Sequence, residues 1–302
     1  VTVGASYPFS VNSRISFSPY FVQTRYVDLN IAAQLNNPNA GNDTNVPENY
    51  AGGKVEFVFD NTTLNGLNLF EGTRGVARLS HHQGLDNKEK SFANVEVDIR
   101  HYQKIHRELV FAARVFMGHF FGESPKRYML GGMDNWLFNN IEGRDDEEGP
   151  LFSADQRNSS DILFHKFVTN LRGYNYNKFN GATTFLFNAE LRFPLIKYLH
   201  RGPIASNFFR NLQLVGFYDV GSAWTGNSPF EEVNSVNTEV IKSPGAPFRA
   251  DIINFKNPWL ASYGGGVRTV LLGYYLKFDV AWPIEDFVVG SPKFYLTLGF
   301  DF

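Results

Sequence analysis

The chain has 302 residues, a formal net charge of -2, no Cys, 30 Phe, 14 Tyr and 27 Gly. The near-neutral charge argues against nucleic acid as a partner, and the absence of Cys excludes disulfides and thiolate chemistry. A mean hydropathy of -0.25 without any long apolar run excludes a transmembrane helix, whereas a transmembrane β-barrel hides its apolar residues at alternate positions.

The first part of the chain predicts six strands. They span 1–9, 14–35 with a break at Pro19, 53–60, 73–82, 92–102 and 109–120. Short turns at 11–13 and 105–107 contrast with a polar loop at 36–49 and a charged loop at 84–90. The alternation is clearest around Val95 and Val97, which share one face while Glu96 and Asp98 share the other.

A long insertion at 122–170 follows, and five further strands are predicted after it. These span 183–193, 211–224, 263–272, 274–282 and 293–302, with a second long loop at 225–257. In the strand 183–193, Phe185, Phe187 and Leu191 share an apolar face, whereas Glu190 and Arg192 lie on the opposite face. No stretch predicts an amphipathic helix.

About eleven strands with alternating short and long connections predict an all-β, antiparallel transmembrane β-barrel rather than a soluble barrel or sandwich. Such barrels have short periplasmic turns and long outer loops, so we expect an integral protein of the bacterial outer membrane. Bacterial barrels have even strand numbers. One strand is therefore missed, or several precede Val1, where a strand begins without a signal peptide. The abrupt start favours strands upstream of Val1. We therefore expect residues 1–302 to be a mature product or a fragment that lacks the first strands of the barrel.

Five motifs occur in order along the second half of the chain. They are LRGY at 171–174, NAELRFP at 188–194, FYDVG at 217–221, YGGGVR at 263–268 with LKFDVAWP at 276–283, and a terminal strand ending in Phe302. Together they resemble the BamA-type superfamily of outer-membrane assembly and translocation barrels. YMLGGMDNW at 128–136 with NLQLVGFYD at 211–219 looks like a Bacteroidota subgroup in which a TolB-like propeller precedes the barrel. No propeller or POTRA repeat occurs in this sequence.

The resemblance implies a sixteen-stranded barrel, of which residues 1–302 would be the C-terminal part. It implies that the 122–181 loop folds back into the lumen, with Arg172, Gly173 and Tyr174 at its tip. The last strand would be the C-terminal β-signal that assembly machinery reads, and its shared face comprises Phe294, Leu296, Leu298, Phe300 and Phe302. The implied function is insertion, assembly or translocation of other polypeptides through a lateral seam between the first and last strands.

The arginine at the loop tip carries the sharpest chemical prediction. A guanidinium inside a barrel needs acceptors and prefers a bidentate carboxylate. Glu190 and Asp219 fall on predicted lumen faces, so we expect Arg172 to pair with one or both and to hold the loop inside. Further polar residues are predicted to line a water-filled interior: Arg192, Arg268, Lys277 and Asp279.

The sequence predicts no enzyme, cofactor or metal site. The acidic run at 144–148 offers oxygen ligands but lacks the spacing of a Ca²⁺ loop. His81 and His82 are neighbours on a strand and point to opposite faces, and no G-x-S-x-G motif is present. The resemblance implies outer-membrane lipids including lipopolysaccharide, client polypeptides, and periplasmic or surface lipoproteins as partners.

Three alternatives remain open from the sequence. A passive or gated pore predicts high conductance with the 122–181 loop intact, whereas a pinned loop predicts a plugged lumen. An outer-membrane enzyme predicts loss of activity on changing one Ser, His or carboxylate without loss of folding. A barrel that anchors or forms part of a larger outer-membrane complex is the third alternative.

Overall fold

The computed structural model describes residues 1–25, 47–139, 161–200, 202–231, 236, 238–242, 249–253 and 257–299. Three predicted features lie wholly or partly outside these residues. They are the acidic run at 144–148, the end of the predicted strand 14–35 after residue 25, and Phe300 and Phe302.

The described residues form eighteen strands and two short helices. The strands are β1 (Ala5–Ser10), β2 (Ser13–Thr24), β3 (Glu48–Asp60), β4 (Thr63–Gly66), β5 (Leu69–Gly84), β6 (Phe92–His106), β7 (Leu109–Gly122), β8 (Tyr128–Leu130), β9 (Lys166–Val168), β10 (Phe179–Gly181), β11 (Thr183–Phe193), β12 (Gln213–Trp224), β13 (Thr238–Lys242), β14 (Arg249–Ile253), β15 (Leu260–Leu271), β16 (Tyr274–Glu285), β17 (Val288–Val289) and β18 (Lys293–Leu298). The helices are α1 (Leu195–Leu199) and α2 (Asn207–Arg210). Among the residues described, no helix has the length and apolar character needed to cross a bilayer.

Thirteen of the described strands form one large antiparallel sheet, which confirms the predicted all-β antiparallel fold. Its order is β1-β2-β3-β5-β6-β7-β11-β12-β15-β16, after which both β17 and β18 pair with β16, while β4 pairs with β5. The strands of this main path therefore lie side by side in chain order, with β8–β10 and β13–β14 forming separate small sheets. β11 illustrates this, because it pairs with β7 from Thr183 to Arg192 and with β12 along its whole length.

The two faces of this sheet have opposite polarity and opposite exposure. On β11, Asn188 and Glu190 are 0% and 2% exposed, whereas Leu191 is 43% exposed. A soluble sheet buries its apolar face, so this pattern is the reverse and suits a strand whose outer face meets lipid. We call the buried, polar face of the sheet its inner face.

The described part of the 122–181 insertion packs against the inner face and contains the strands β8, β9 and β10. β8 lies between β10, which it pairs antiparallel, and β9, which it pairs parallel. Tyr128, Leu130 and Leu171 of the insertion are fully buried in one apolar cluster with Leu186 and Ala223 of the large sheet. The apolar core therefore lies between the insertion and the inner face. The described part of the insertion is not structureless, because β8, β9 and β10 pair their backbone groups with one another.

The connections differ in length between the two ends of the sheet. Turns of two residues join β1 to β2, β6 to β7 and β15 to β16 at one end. The opposite end carries the insertion and the 225–259 connection. One connection at the short-turn end departs from the prediction, because 194–212 joins β11 to β12 through both short helices. Ser206 caps α2 by accepting from the Phe209 N–H.

Pro19 does not break β2, contrary to the prediction. The Pro19 carbonyl accepts from the Val3 N–H at 3.1 Å on the β1 side of the strand. Since the N–H and C=O of one strand residue point to the same side, the donor that proline lacks is missing only toward this edge. The ladder to β3 continues through Pro19, which lies opposite Gly53.

Two further strand predictions need correction. The 225–257 connection contains an antiparallel hairpin, β13 and β14, where only a polar loop was expected. β6 continues to His106, so the turn after it is one or two residues later than predicted. Arg107 takes a left-handed conformation there, with φ of 50°.

Candidate functional site

Arg172 lies at the tip of the insertion, in the turn between β9 and β10, and is 1% exposed. The next residue, Gly173, has φ of 91°, a region that favours glycine. A Cβ on Gly173 would also lie 3.0 Å from the backbone nitrogen of Pro283 on β16. Glycine is therefore required here for both conformation and space, and it brings the tip directly against the inner face.

Two carboxylates of the large sheet bind the Arg172 guanidinium. Asp219 on β12 accepts from Nε at 2.6 Å and from the second terminal nitrogen at 2.7 Å, which is a bidentate pair. Glu190 on β11 accepts from the other terminal nitrogen at 2.7 Å. The guanidinium carbon also lies 3.5 Å from the centre of the Phe217 ring. The structure thus brings together three residues that the sequence placed in one cluster, and adds Phe217.

Glu190 contacts three arginines in total. Arg268 on β15 donates to both of its carboxylate oxygens at 3.1 and 2.8 Å. Arg192, two residues along β11, donates at 2.9 Å and also reaches the Asn68 carbonyl at 3.1 Å. All of these side chains are buried. The sequence predicted Arg192 and Arg268 in a water-filled interior, but the structure places both in direct contact with Glu190.

Asp279 and Lys277 on β16 complete the charged cluster. The Asp279 carboxylate lies 3.7 Å from a terminal nitrogen of Arg172 and 3.7 Å from one of Arg268. Lys277 is 2% exposed and lies directly opposite Arg268 on the neighbouring strand β15. The cluster therefore combines four cations with three carboxylates. Such a group is stable away from water only when the charges compensate each other.

Tyr174 fastens the other side of the tip. Its hydroxyl donates to the carbonyls of Ala261 on β15 and Ile284 on β16, both at 2.8 Å. Its own carbonyl accepts from the Tyr295 hydroxyl on β18 at 2.8 Å. The turn at Arg172, Gly173 and Tyr174 consequently contacts five strands of the large sheet: β11, β12, β15, β16 and β18.

A second polar group that the sequence did not identify fastens the base of the insertion. Glu96 on β6 accepts from Lys166 at 2.6 Å and from the Tyr128 hydroxyl at 3.0 Å. Arg78 on β5 bridges Glu96 to Glu56 at 3.0 and 2.8 Å. Alternation along β6 places Glu96 on the polar face, but nothing local in the sequence indicates its partners in the insertion.

The remaining predicted residues lie elsewhere. On β18, Phe294 is 59% exposed, and Leu296 and Leu298 alternate with Tyr295 and Thr297, which are buried. His82 contacts the Tyr20 hydroxyl at 2.9 Å, while His81 lies on the exposed face. The residues that the structure describes include no group of three His, Cys, Asp or Glu side chains able to hold a metal ion.

The geometry of the cluster indicates positioning rather than chemical turnover. The carboxylates and guanidinium groups of the cluster are directed at one another. Directional contacts of this kind hold a loop in one place on the sheet. The arrangement therefore fixes the insertion on the inner face.

Comparison with known proteins gives a family and a fold. A family model described as the Omp85 superfamily domain matches residues 1–302. Among solved structures, the chain is similar to the crystal structure of BamA from Haemophilus ducreyi lacking POTRA domains 1-3, with a TM-score of 0.54 and 12% identity. The match covers 99% of this chain and 53% of that chain, so this chain spans about half of its length. At this identity the likeness concerns the fold alone. No curated protein matches the sequence significantly.

Proposed function

This chain belongs to the Omp85 superfamily, and on that premise we propose that it inserts, assembles or translocates other polypeptides at the bacterial outer membrane. It is an integral outer-membrane β-barrel protein of this superfamily. The more specific resemblance to the Bacteroidota subgroup stays a prediction.

The inward-held insertion is the observation that carries the proposal. Arg172 makes three side-chain hydrogen bonds to Asp219 and Glu190, and all three residues are almost completely buried. A passive pore needs an open, hydrated lumen, whereas here the described part of the insertion packs against the inner face of β11, β12, β15, β16 and β18. A barrel that handles polypeptides at its wall, instead of conducting solutes through its centre, accounts better for a filled interior.

We propose that client strands add at the edge of β18. Within the described residues, β18 pairs with β16 alone among the named strands, so its other edge is where an extended client strand would add by β-augmentation. Pro292 precedes this strand and Gly299 follows it, and both residue types weaken strand pairing. The lateral seam of the proposal is this edge, and its partner is an extended polypeptide strand.

The partners follow from the same proposal. They are outer-membrane lipids including lipopolysaccharide around the apolar outer face, client polypeptides at the seam, and periplasmic or surface lipoproteins. The outer face is apolar at Phe187 and Leu191 on β11, which suits contact with acyl chains.

Reconstitution tests the proposed function. The chain is folded into lipid vesicles, and the folding of an unfolded outer-membrane barrel client is followed by heat-modifiable gel mobility. We expect faster client folding in vesicles that hold the wild-type chain than in empty vesicles. High ion conductance by the wild-type chain, without any effect on client folding, would favour the simple pore and reject the proposal.

A further inference from the structure

A short segment of the insertion pairs with the last described strand. Trp136 and Thr297 form an antiparallel bridge, and the Leu137 N–H donates to the Leu296 carbonyl at 3.0 Å. The segment 135–137 therefore behaves as one more strand beside β18, although it belongs to a different part of the chain.

The direction of the hydrogen bonds shows which edge of β18 this segment occupies. The Gly299 N–H donates to the Tyr275 carbonyl on β16 at 3.2 Å. Backbone groups of successive strand residues point to alternate sides, so Leu296, three residues earlier, directs its carbonyl away from β16. Leu137 therefore lies on the edge of β18 that β16 leaves open.

An aromatic anchor holds the segment in place. The Trp136 ring lies 4.6 Å from the ring of Tyr295 and 5.8 Å from that of Tyr176, and Trp136 is 8% exposed. The Tyr176 hydroxyl also donates to the carbonyl of Met133, two residues before the segment. Asn135 adopts φ of 53°, which turns the chain onto the strand edge.

The segment is connected through the backbone to the charged tip. Gly132 bridges to Leu171, and its carbonyl accepts from the Asn170 N–H at 2.8 Å. Arg172 is the residue after Leu171, so the tip and the segment are neighbouring parts of one small sheet.

From this geometry we infer that residues 133–137 are an internal edge cap. The cap occupies the open edge of β18 in the resting state and must leave before another strand adds there. The inference rests on the proposed function in naming an extended polypeptide strand as the competitor. The cap itself is a property of this chain and can be measured without any client.

A disulfide tests the cap directly, because the natural chain contains no Cys. Leu137 and Leu296 are directly opposite in the register set by the Trp136–Thr297 bridge, and such pairs have Cα atoms about 5.5 Å apart, within disulfide range. L137C/L296C should cross-link under mild oxidation in the folded barrel. The matched pair L137C/F294C is shifted by two residues and should not. Absence of the disulfide in folded L137C/L296C would overturn the cap.

The competing strand is supplied as a synthetic peptide with the sequence of residues 293–302 and a photoreactive label. We expect reduced L137C/L296C to capture the peptide. The oxidised protein should capture at least about tenfold less, because capture is proportional to the fraction of molecules in which the β18 edge is free. Trp136→Ala removes the anchor and should raise capture above wild type. Equal capture by the oxidised and reduced protein, or no capture by any variant, would overturn the competition.

Client folding in vesicles is measured in parallel on the same preparations. If cross-linking and peptide capture behave as expected but no variant accelerates client folding, the edge cap stands and the proposed function fails. If client folding is accelerated equally in the oxidised and reduced protein, the proposed function stands and the cap is rejected as its regulator.

Discussion

Arg172→Met and Asp219→Asn form a double-mutant cycle that measures how strongly the insertion is held. Methionine removes the guanidinium but keeps an unbranched side chain. Asp219 then loses its cationic partner but keeps the hydrogen bond from the Asn188 amide at 2.8 Å. Breaking a buried pair from one side costs about 3–5 kcal/mol, because a charge stays buried without its partner. We expect a loss of this size for Arg172→Met and a smaller loss when both changes are combined.

The structure also predicts unequal coupling energies. Arg172 makes two side-chain hydrogen bonds to Asp219 and one to Glu190. Glu190 is shared with two other arginines, so we expect coupling of about 2–3 kcal/mol with Asp219 and about 1 kcal/mol with Glu190, tested as Glu190→Gln.

Urea unfolding in detergent micelles, followed by tryptophan fluorescence and by heat-modifiable mobility, gives each free energy of unfolding. Arg107→Met, at an exposed two-residue turn, is the matched control and should stay within about 0.5 kcal/mol of wild type. A coupling with Asp219 below about 0.5 kcal/mol would refute the reasoning that paired carboxylates hold the tip.

Three further outcomes follow from the same structure. Gly173→Ala should lower the free energy of unfolding by about 1–3 kcal/mol because of its positive φ, while Gly216→Ala, where a Cβ meets nothing within 4 Å, should not destabilise. Phe187→Arg, at the centre of an outer face, should cost about 2–4 kcal/mol on folding into vesicles, and the same change at exposed Leu199 in α1 should have little effect. In planar bilayers, Arg172→Met should conduct more than wild type, since release of the tip opens the lumen; equal conductance would show that the tip does not close it.

Alternation of side chains was enough to predict the long strands of the large sheet and their faces, but not the short strands of the insertion or the β13–β14 hairpin. On β11, Glu190 and Arg192 recur every second residue between apolar neighbours, and this period alone assigns them to one face. The same local signal runs through β6 and β12. It does not depend on distant contacts, which is why the positions of the long strands agree with the structure.

Partners distant in the sequence could not be predicted in this way. Arg268 and Glu190 are 78 residues apart, and Lys166 and Glu96 are 70 apart. Only the order of strands in the sheet brings such residues together, and alternation does not specify which inner-face charges meet. Resemblance to a family indicated that Arg172 lies inside the barrel near carboxylates. It gave no indication that Tyr128 contacts Glu96.

Lipid contact explains why polar groups, and not apolar packing alone, set the position of the insertion. Acyl chains are as apolar as the outer side chains, so burying the outer face does not favour one arrangement over another. Directional contacts on the inner face must then select the arrangement, and the Arg172 cluster supplies buried ones at the tip of the insertion. Because the Tyr174 carbonyl accepts from Tyr295, on which Trp136 packs, the cluster and the edge cap share one tyrosine.

Through this shared tyrosine, we expect release of the tip to loosen the edge cap as well. Arg172→Met should therefore raise capture of the 293–302 peptide toward the level of Trp136→Ala, although residue 172 does not contact the peptide edge. Photo-cross-linking of the two variants side by side measures this. Capture at the wild-type level in Arg172→Met would show that Trp136 holds the cap without help from the charged cluster.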